Sequence, residues 1–346
     1  MKQSAAPFDP AGQAAREDEQ PSPSAGWQHA LRDAFRTPRD LIAFLQLDPG
    51  SVSALDGATD FSMLVPRSFV ARMRKGDPHD PLLRQVLPDS SERETVPGFD
   101  RDPLAEMRFA SDGVIRKYSG RALLIATGAC PVHCRYCFRR HFPYAEQLAS
   151  RQRWSRAIAT LRDEPELTEV ILSGGDPLTL TDDAIMELVR AVEEMENVHT
   201  LRLHSRFPIM IPERVDRQLL KVLTGTRLRI VMVVHCNHPN EIDGAVQSAL
   251  LELKAATAQL LNQSVLLHRV NDNEEDLAQL SEKLFDAGVL PYYLHLLDPV
   301  AGTAHFDVTE ARAKALIASL RRRLPGYLVP RLVREVPGEP SKTVIL

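Results

Sequence analysis

From residue 121 onward the chain alternates between short apolar, β-branched or Leu-rich runs and longer stretches with apolar positions at helical spacing. The short runs are RALLIAT (121–127), EVILSG (169–174), TLRLHS (200–205), RIVMVVHC (229–236), NQSVLL (262–267) and YYLHLL (292–297). The helical patterns fall at 151–164, 182–195, 213–224, 243–258, 274–287 and 309–323. Runs too apolar for a strand with one wet face, each followed by a crossover-length helix, predict parallel βα units buried on both sides. Six such units predict an α/β fold, a partial (βα)6 barrel; an eight-unit repeat would close a full one. Pattern alone leaves an open parallel sheet as the alternative.

Upstream, residues 27 to 100 carry apolar residues at helical spacing broken by Pro and Gly, which predicts an N-terminal helical region. Residues 1 to 26 are rich in Ala, Pro, Ser, Gly and acids, and a segment that buries so little apolar surface is expected to be a disordered tail. The core is expected over 101–330, with a separate C-terminal segment over 331–346.

Polar segments follow every apolar run: GACPVHCRYC, SGGDPL, HSRFP, HCNHPNEI, HRVND and LDPVAG. All six fall at strand C-terminal ends, where parallel α/β folds collect their active sites. Charge narrows the partners. The formal net charge is −4 and no long basic run occurs, so the electrostatic footprint of nucleic-acid binding is missing. No stretch is apolar enough to suggest a membrane span. Four cysteines in 346 residues cannot form a disulfide framework, and the first residues hold no apolar export signal, so a reducing cytoplasm is expected.

Three of the four cysteines, Cys130, Cys134 and Cys137, lie in one loop with the spacing C-x3-C-x2-C. A closed zinc site needs four ligands, and no second cysteine pair exists; His133 or His141 are the candidates for a fourth. A ferredoxin-like carrier also takes four thiolates. Three thiolates instead leave one iron of a [4Fe–4S] cluster open to another ligand. Cys236 stands apart in the fourth apolar run and reads as a buried small residue.

This loop after the first strand of a six-unit barrel resembles the radical S-adenosylmethionine (SAM) superfamily. The resemblance implies a [4Fe–4S] cluster on Cys130, Cys134 and Cys137 whose open iron chelates SAM. An electron from a low-potential donor then releases a 5′-deoxyadenosyl radical. It also implies SAM contacts from the glycine-rich turn Ser173, Gly174, Gly175 and Asp176, and from His235 and Gln263; taken singly, each of these is more often structural.

Near the end, VREVPGEPSKTVIL (333–346) places Lys342 after a Gly-Pro turn. Alone, such a lysine is usually a solvated surface residue. Together with DPHDPLLRQVLP, SGGDPL, HCNHPNEI and QSVLLHRVND it resembles the lysine 2,3-aminomutase family over nearly the whole ordered chain. In that family the corresponding lysine holds pyridoxal 5′-phosphate (PLP) as a Schiff base. The resemblance makes Lys342 the PLP lysine, with Tyr118 and Arg121 meeting the cofactor and its phosphate. A guanidinium suits phosphate.

For the substrate, the resemblance assigns Arg139 to the amino-acid carboxylate, a pairing suited to the guanidinium fork. Asp298 and Glu335 are assigned to the ε-ammonium of L-lysine. The family has Asp where Glu335 stands, a departure that keeps the charge and lengthens the reach. The extra C-terminal cysteines that bind an intersubunit zinc in the family's larger members are not found, which puts a homo-oligomer inferred by analogy in doubt. The compact form resembles the branch that makes (R)-β-lysine for the ligase that modifies elongation factor P. Two alternatives stand beside it: an aminomutase for another amino acid such as glutamate, which should place a cationic or neutral residue where Asp298 and Glu335 are, and a non-catalytic iron–sulfur or zinc redox sensor, which leaves Lys342 and Arg121 unexplained.

Overall fold

The computed structural model describes residues 25–52, 61–111, 113–144 and 151–346. The expected tail 1–26 therefore lies outside the described residues apart from its last two.

Ten strands form one sheet in strict sequence order. They are β1 (Ala110–Ser111), β2 (Val114–Tyr118), β3 (Arg121–Thr127), β4 (Glu169–Gly174), β5 (Thr200–Ser205), β6 (Arg229–Val234), β7 (Gln259–Val265), β8 (Leu290–His295), β9 (Arg331–Arg334) and β10 (Thr343–Val344). The ladder from β3 to β9 is parallel throughout, and antiparallel β1–β2 and β10 flank it. Six of the parallel strands correspond to the six apolar runs. The seventh, β9, carries only Leu332 and Val333 as its buried pair between exposed arginines, too short a pattern to announce a strand.

Helices α3 (Arg151–Arg162), α4 (Asp182–Glu193), α5 (Arg217–Thr224), α6 (Gly244–Ala256), α7 (Glu274–Asp286) and α8 (Glu310–Arg323) fill the crossovers. From α4 on, each starts where a Thr, Asp or Asn side chain caps its first turn: Thr181, Asp216, Asp243, Asn273 and Thr309. Two further helices, Ala25–Arg32 and Pro38–Phe44, lie in the N-terminal region, which is otherwise built from single helical turns and 3-10 turns. Its Trp27 packs edge-on against Phe207 with ring centroids 5.5 Å apart.

The expectation of strands buried on both sides needs correcting. In β5 the face toward the helices, Leu201, Leu203 and Ser205, is buried, whereas Thr200, Arg202 and His204 on the opposite face are only half-buried. That inner face is polar because it lines the barrel interior, where Arg202 pairs with Glu169 of β4. Strand ends also shift. β6 stops at Val234 rather than 236 because the Asn262 side chain takes over the backbone of Cys236: its Oδ1 accepts from the Cys236 N–H at 2.9 Å and its Nδ2 donates to the carbonyl at 3.1 Å.

The sheet does not close by backbone pairing, yet its two edges meet through side chains. Lys117 Nζ and Tyr118 Oη, at the end of β2, lie 3.2 and 2.6 Å from Glu335 Oε1, just past β9. Six strands separate these residues along the sheet, so the contact requires that it curl into a partial barrel. The C-terminal ends of the parallel strands then surround one mouth.

Candidate active site

The loop after β3 is fixed to the end of β4 by backbone contact. The N–H groups of Gly175 and Asp176 donate to the carbonyls of Thr127 and Ala129 at 2.6 and 2.8 Å. A Cβ on Gly175 would lie 2.3 Å from the Ala129 carbonyl, and Gly174, at φ +110°, would meet Thr127 O at 2.6 Å. The close approach these glycines permit is therefore to the cysteine loop itself. Asp176 is likewise engaged by the protein: its carboxylate accepts from Ser205 Oγ and from the N–H groups of Leu178, Arg206 and Phe207. These bonds hold the turn against the cysteine loop.

Within the loop, burial and the neighbouring thiols push the Cys130 thiol up and that of Cys137 to about 11. Surroundings that keep these thiols protonated make the thiolate form costly unless a cation joins it, and cluster iron supplies one. Arg206 adds a second, its Nη1 donating to Cys134 Sγ at 2.7 Å. Among the described residues no three His, Cys, Asp or Glu side chains stand close enough together to hold one metal ion. Nor do the two candidate histidines complete a zinc site: His133 Nδ1 lies 2.9 Å from the Ser62 carbonyl and His141 Nε2 lies 3.1 Å from that of Ala301. The donor set fits a cluster held by three thiolates. Cys236 is fully buried in the core, as a structural cysteine would be.

At the mouth Arg139 is not a free fork. Its Nε and Nη2 donate to the two oxygens of Glu106 at 2.7 and 2.9 Å, both side chains being almost wholly buried. Its Nη1 reaches Ser173 Oγ at 3.2 Å and the Gly174 carbonyl at 3.4 Å. Lys117 Nζ lies 3.1 Å from Glu106 and 3.2 Å from Glu335, and the Lys342 ammonium donates to the other Glu335 oxygen. A continuous chain of charges thus runs Arg139, Glu106, Lys117, Glu335, Lys342. Its cations hold Glu335 down at about 2, and bonding to that carboxylate pushes the Tyr118 hydroxyl up, in addition to burial.

Asp298 faces the same cluster, and among the described residues its carboxylate has no hydrogen-bond partner. Burial first, and then the Glu335 charge, push it up to about 7, against the pull of Lys342 and Lys117. Arg121 stacks its guanidinium 4.8 Å from the Tyr118 ring centroid, and its Nε is buried without a partner. Among the described residues that donor has no partner, and beside Tyr118, whose hydroxyl shares Glu335 with Lys342, it fits an anionic cofactor such as PLP.

His235 and Gln263 are brought together, Nε2 to Nε2 at 2.9 Å. Around them stand two histidines that sequence reasoning missed, His204 and His295, each with a buried Nε2 lacking a partner. Desolvation, reinforced by nearby cations, lowers both, and lowers His235 to about 3, so all three are neutral imidazoles at pH 7. Glu106, Lys117 and Arg206 were missed as well. His204 and Arg206 sit in the HSRFP segment already visible as a strand-end motif, and the polar alternation of β5 signals the former. Glu106 lies in an irregular 3-10 turn with no periodicity to mark it.

A three-thiol loop at the mouth of a parallel partial barrel defines a radical SAM protein, and the sequence model of the radical SAM superfamily matches residues 124–235. Among relatives, the chain is 46% identical over 319 residues to an L-lysine 2,3-aminomutase of Escherichia coli (strain K12), covering 92% of this chain and 93% of that one. It is 42% identical to one from Haemophilus influenzae over 92% and 95% of the two chains. To one from Clostridium subterminale it is 30% identical over 92% and 77%. The chain belongs to the L-lysine 2,3-aminomutase family, and membership implies the [4Fe–4S] cluster, SAM and PLP.

Proposed function

We propose that the chain converts L-lysine to β-lysine by moving the amino group from C2 to C3. The observation that carries this reading is the charge arrangement of the mouth: Arg139 for a carboxylate, with Asp298 for a distant ammonium and beside it Glu335, which already receives the ammonium groups of Lys117 and Lys342. Its relatives in Escherichia coli and Haemophilus influenzae are L-lysine 2,3-aminomutases, which supports the same substrate. Burying an ammonium without a partner is costly, so a site with two acids favours lysine over glutamate or uncharged homologues.

When bound, the cluster and SAM supply a hydrogen-abstracting radical and PLP carries the migrating nitrogen. Cys130, Cys134 and Cys137 would hold the cluster. The turn Ser173, Gly174, Gly175 and Asp176, with His235 and Gln263, would meet SAM, and Tyr118, Arg121 and Lys342 would hold PLP. Asp298, whose carboxylate has no hydrogen-bond partner among the described residues, is the acid best prepared to receive the substrate ammonium.

The finer parts of the proposal are that the product has the R configuration, that a low-potential donor in the cytoplasm supplies the electron, and that a ligase transfers the product to elongation factor P. The test is chiral analysis of the product from reconstituted enzyme, followed by the mass of elongation factor P after incubation with that product and the ligase. An S product, or no mass increase, would overturn the corresponding part.

A further inference from the structure

Arg139 has five N–H donors, and their use decides which edge a ligand can take. Glu106 occupies the Nε–Nη2 edge with two bonds of 2.7 and 2.9 Å. The bonds of Nη1 to Ser173 and Gly174 are long, 3.2 and 3.4 Å, and one Nη2 hydrogen is unassigned. The side-on edge that best grips a carboxylate is therefore taken by the protein, and a ligand can meet Arg139 only at the Nη1–Nη2 end, in exchange for the two longer Nη1 bonds.

A carboxylate arriving there approaches Glu106, which by itself would repel it. Lys117 offsets this: its ammonium lies 3.1 Å from the same carboxylate, and the chain of Arg139, Glu106, Lys117, Glu335 and Lys342, three cations against two anions, keeps one net positive charge. Glu106 is also held ionised; the charges of Arg139 and Lys117 outweigh its burial and keep it below the usual carboxylate range.

We propose that Glu106 is a positioning residue for the amino-acid substrate: it fixes Arg139 side-on so that only the guanidinium end meets the carboxylate, and Lys117 keeps that end net positive. The inference rests on the lysine reading above and adds a residue with no contact to the reacting atoms.

The experiment compares wild type, Glu106→Gln and Glu106→Asp, each loaded with cluster and PLP, using L-lysine and L-lysinamide, which lacks the carboxylate. If Glu106 were only a negative charge near the carboxylate, its removal would lower the lysine KM. Positioning gives the opposite sign: Glu106→Gln raises the lysine KM about tenfold with kcat within about twofold, Glu106→Asp recovers part of the loss, and the dissociation constant of lysinamide, measured by equilibrium titration, does not move. An unchanged or lowered lysine KM, or an equal weakening of lysinamide, overturns the inference. Should Glu106→Gln fail to fold, Lys117→Met leaves the Glu106–Arg139 pair in place. It is expected to weaken lysine about threefold relative to lysinamide, which shares the ε-ammonium and registers any change passed through Glu335; a lysine-to-lysinamide ratio equal to that of wild type overturns the proposal. Absence of lysine turnover in wild type would instead refute the functional reading, a distinguishable outcome.

Discussion

The Lys342 ammonium rests on the Glu335 carboxylate, seven residues earlier in the chain. The lysine assigned to the cofactor and an acid assigned to the substrate are thus partners of each other before either ligand is present. The same carboxylate accepts from Tyr118 and pairs with Lys117, so it ties β9 to β2 across the open side of the barrel.

That role has a pH consequence. Glu335 is lowered from 4.5 to about 2, so the stability it contributes is present above the unfolded value and is lost as pH falls from about 4.5 through about 2. Glu335→Gln is expected to destabilise the protein by ~1–3 kcal/mol at pH 7, since it leaves Lys117 and Lys342 short of a counter-charge. In denaturant titrations the gap between variant and wild type should close with acidification over that window. A gap that stays constant with pH would show that the charge is not what matters.

Asp298 moves the other way. Its raised value of about 7 means that lysine binding, which needs the carboxylate ionised, should strengthen as pH rises through about 7. The acidic limb of kcat/KM against pH is expected to lie there and to disappear in Asp298→Asn, with cluster and PLP content unchanged. An identical profile in the variant would assign the limb to another group.

Gly175 tests how the cysteine loop is held. An added methyl would sit 2.3 Å from the Ala129 carbonyl, backbone against backbone, with no flexible side chain to yield. Gly175→Ala should therefore displace the loop and reduce iron bound after anaerobic reconstitution by more than half. Iron content equal to wild type would show that the loop tolerates the shift.

Arg206 lies against Cys134 Sγ, and a cation beside a cluster ligand favours the more negative, reduced state. Arg206→Gln is expected to lower the midpoint potential of the cluster in a spectroscopic titration while the three thiolates still hold iron. An unchanged or raised potential would remove Arg206 from that role.

Much of the fold was legible because its signals are local. Three of the six apolar runs coincide with β3, β4 and β5 residue for residue, and side-chain caps such as Thr181 and Asn273 mark where helices begin. The cysteine spacing was equally local. What escaped depends on contacts distant in sequence: Glu106 finds Arg139 33 residues away, and Lys117 finds Glu335 218 residues away. Nothing in either residue's neighbourhood announces such a partner. The polar interior face of β5 was written in TLRLHS as a plain alternation, but the apolar character of the neighbouring runs masked it.

The most direct test of the central claim is incubation of the reconstituted enzyme with SAM, PLP, a low-potential reductant and, in parallel, L-lysine and L-glutamate, with the β-amino acids quantified. The charge arrangement of Arg139, Asp298 and Glu335 leads to β-lysine as the dominant product, and to a large loss of it in Asp298→Asn at low lysine concentration. Faster formation of β-glutamate, or lysine turnover untouched by Asp298→Asn, would contradict the account.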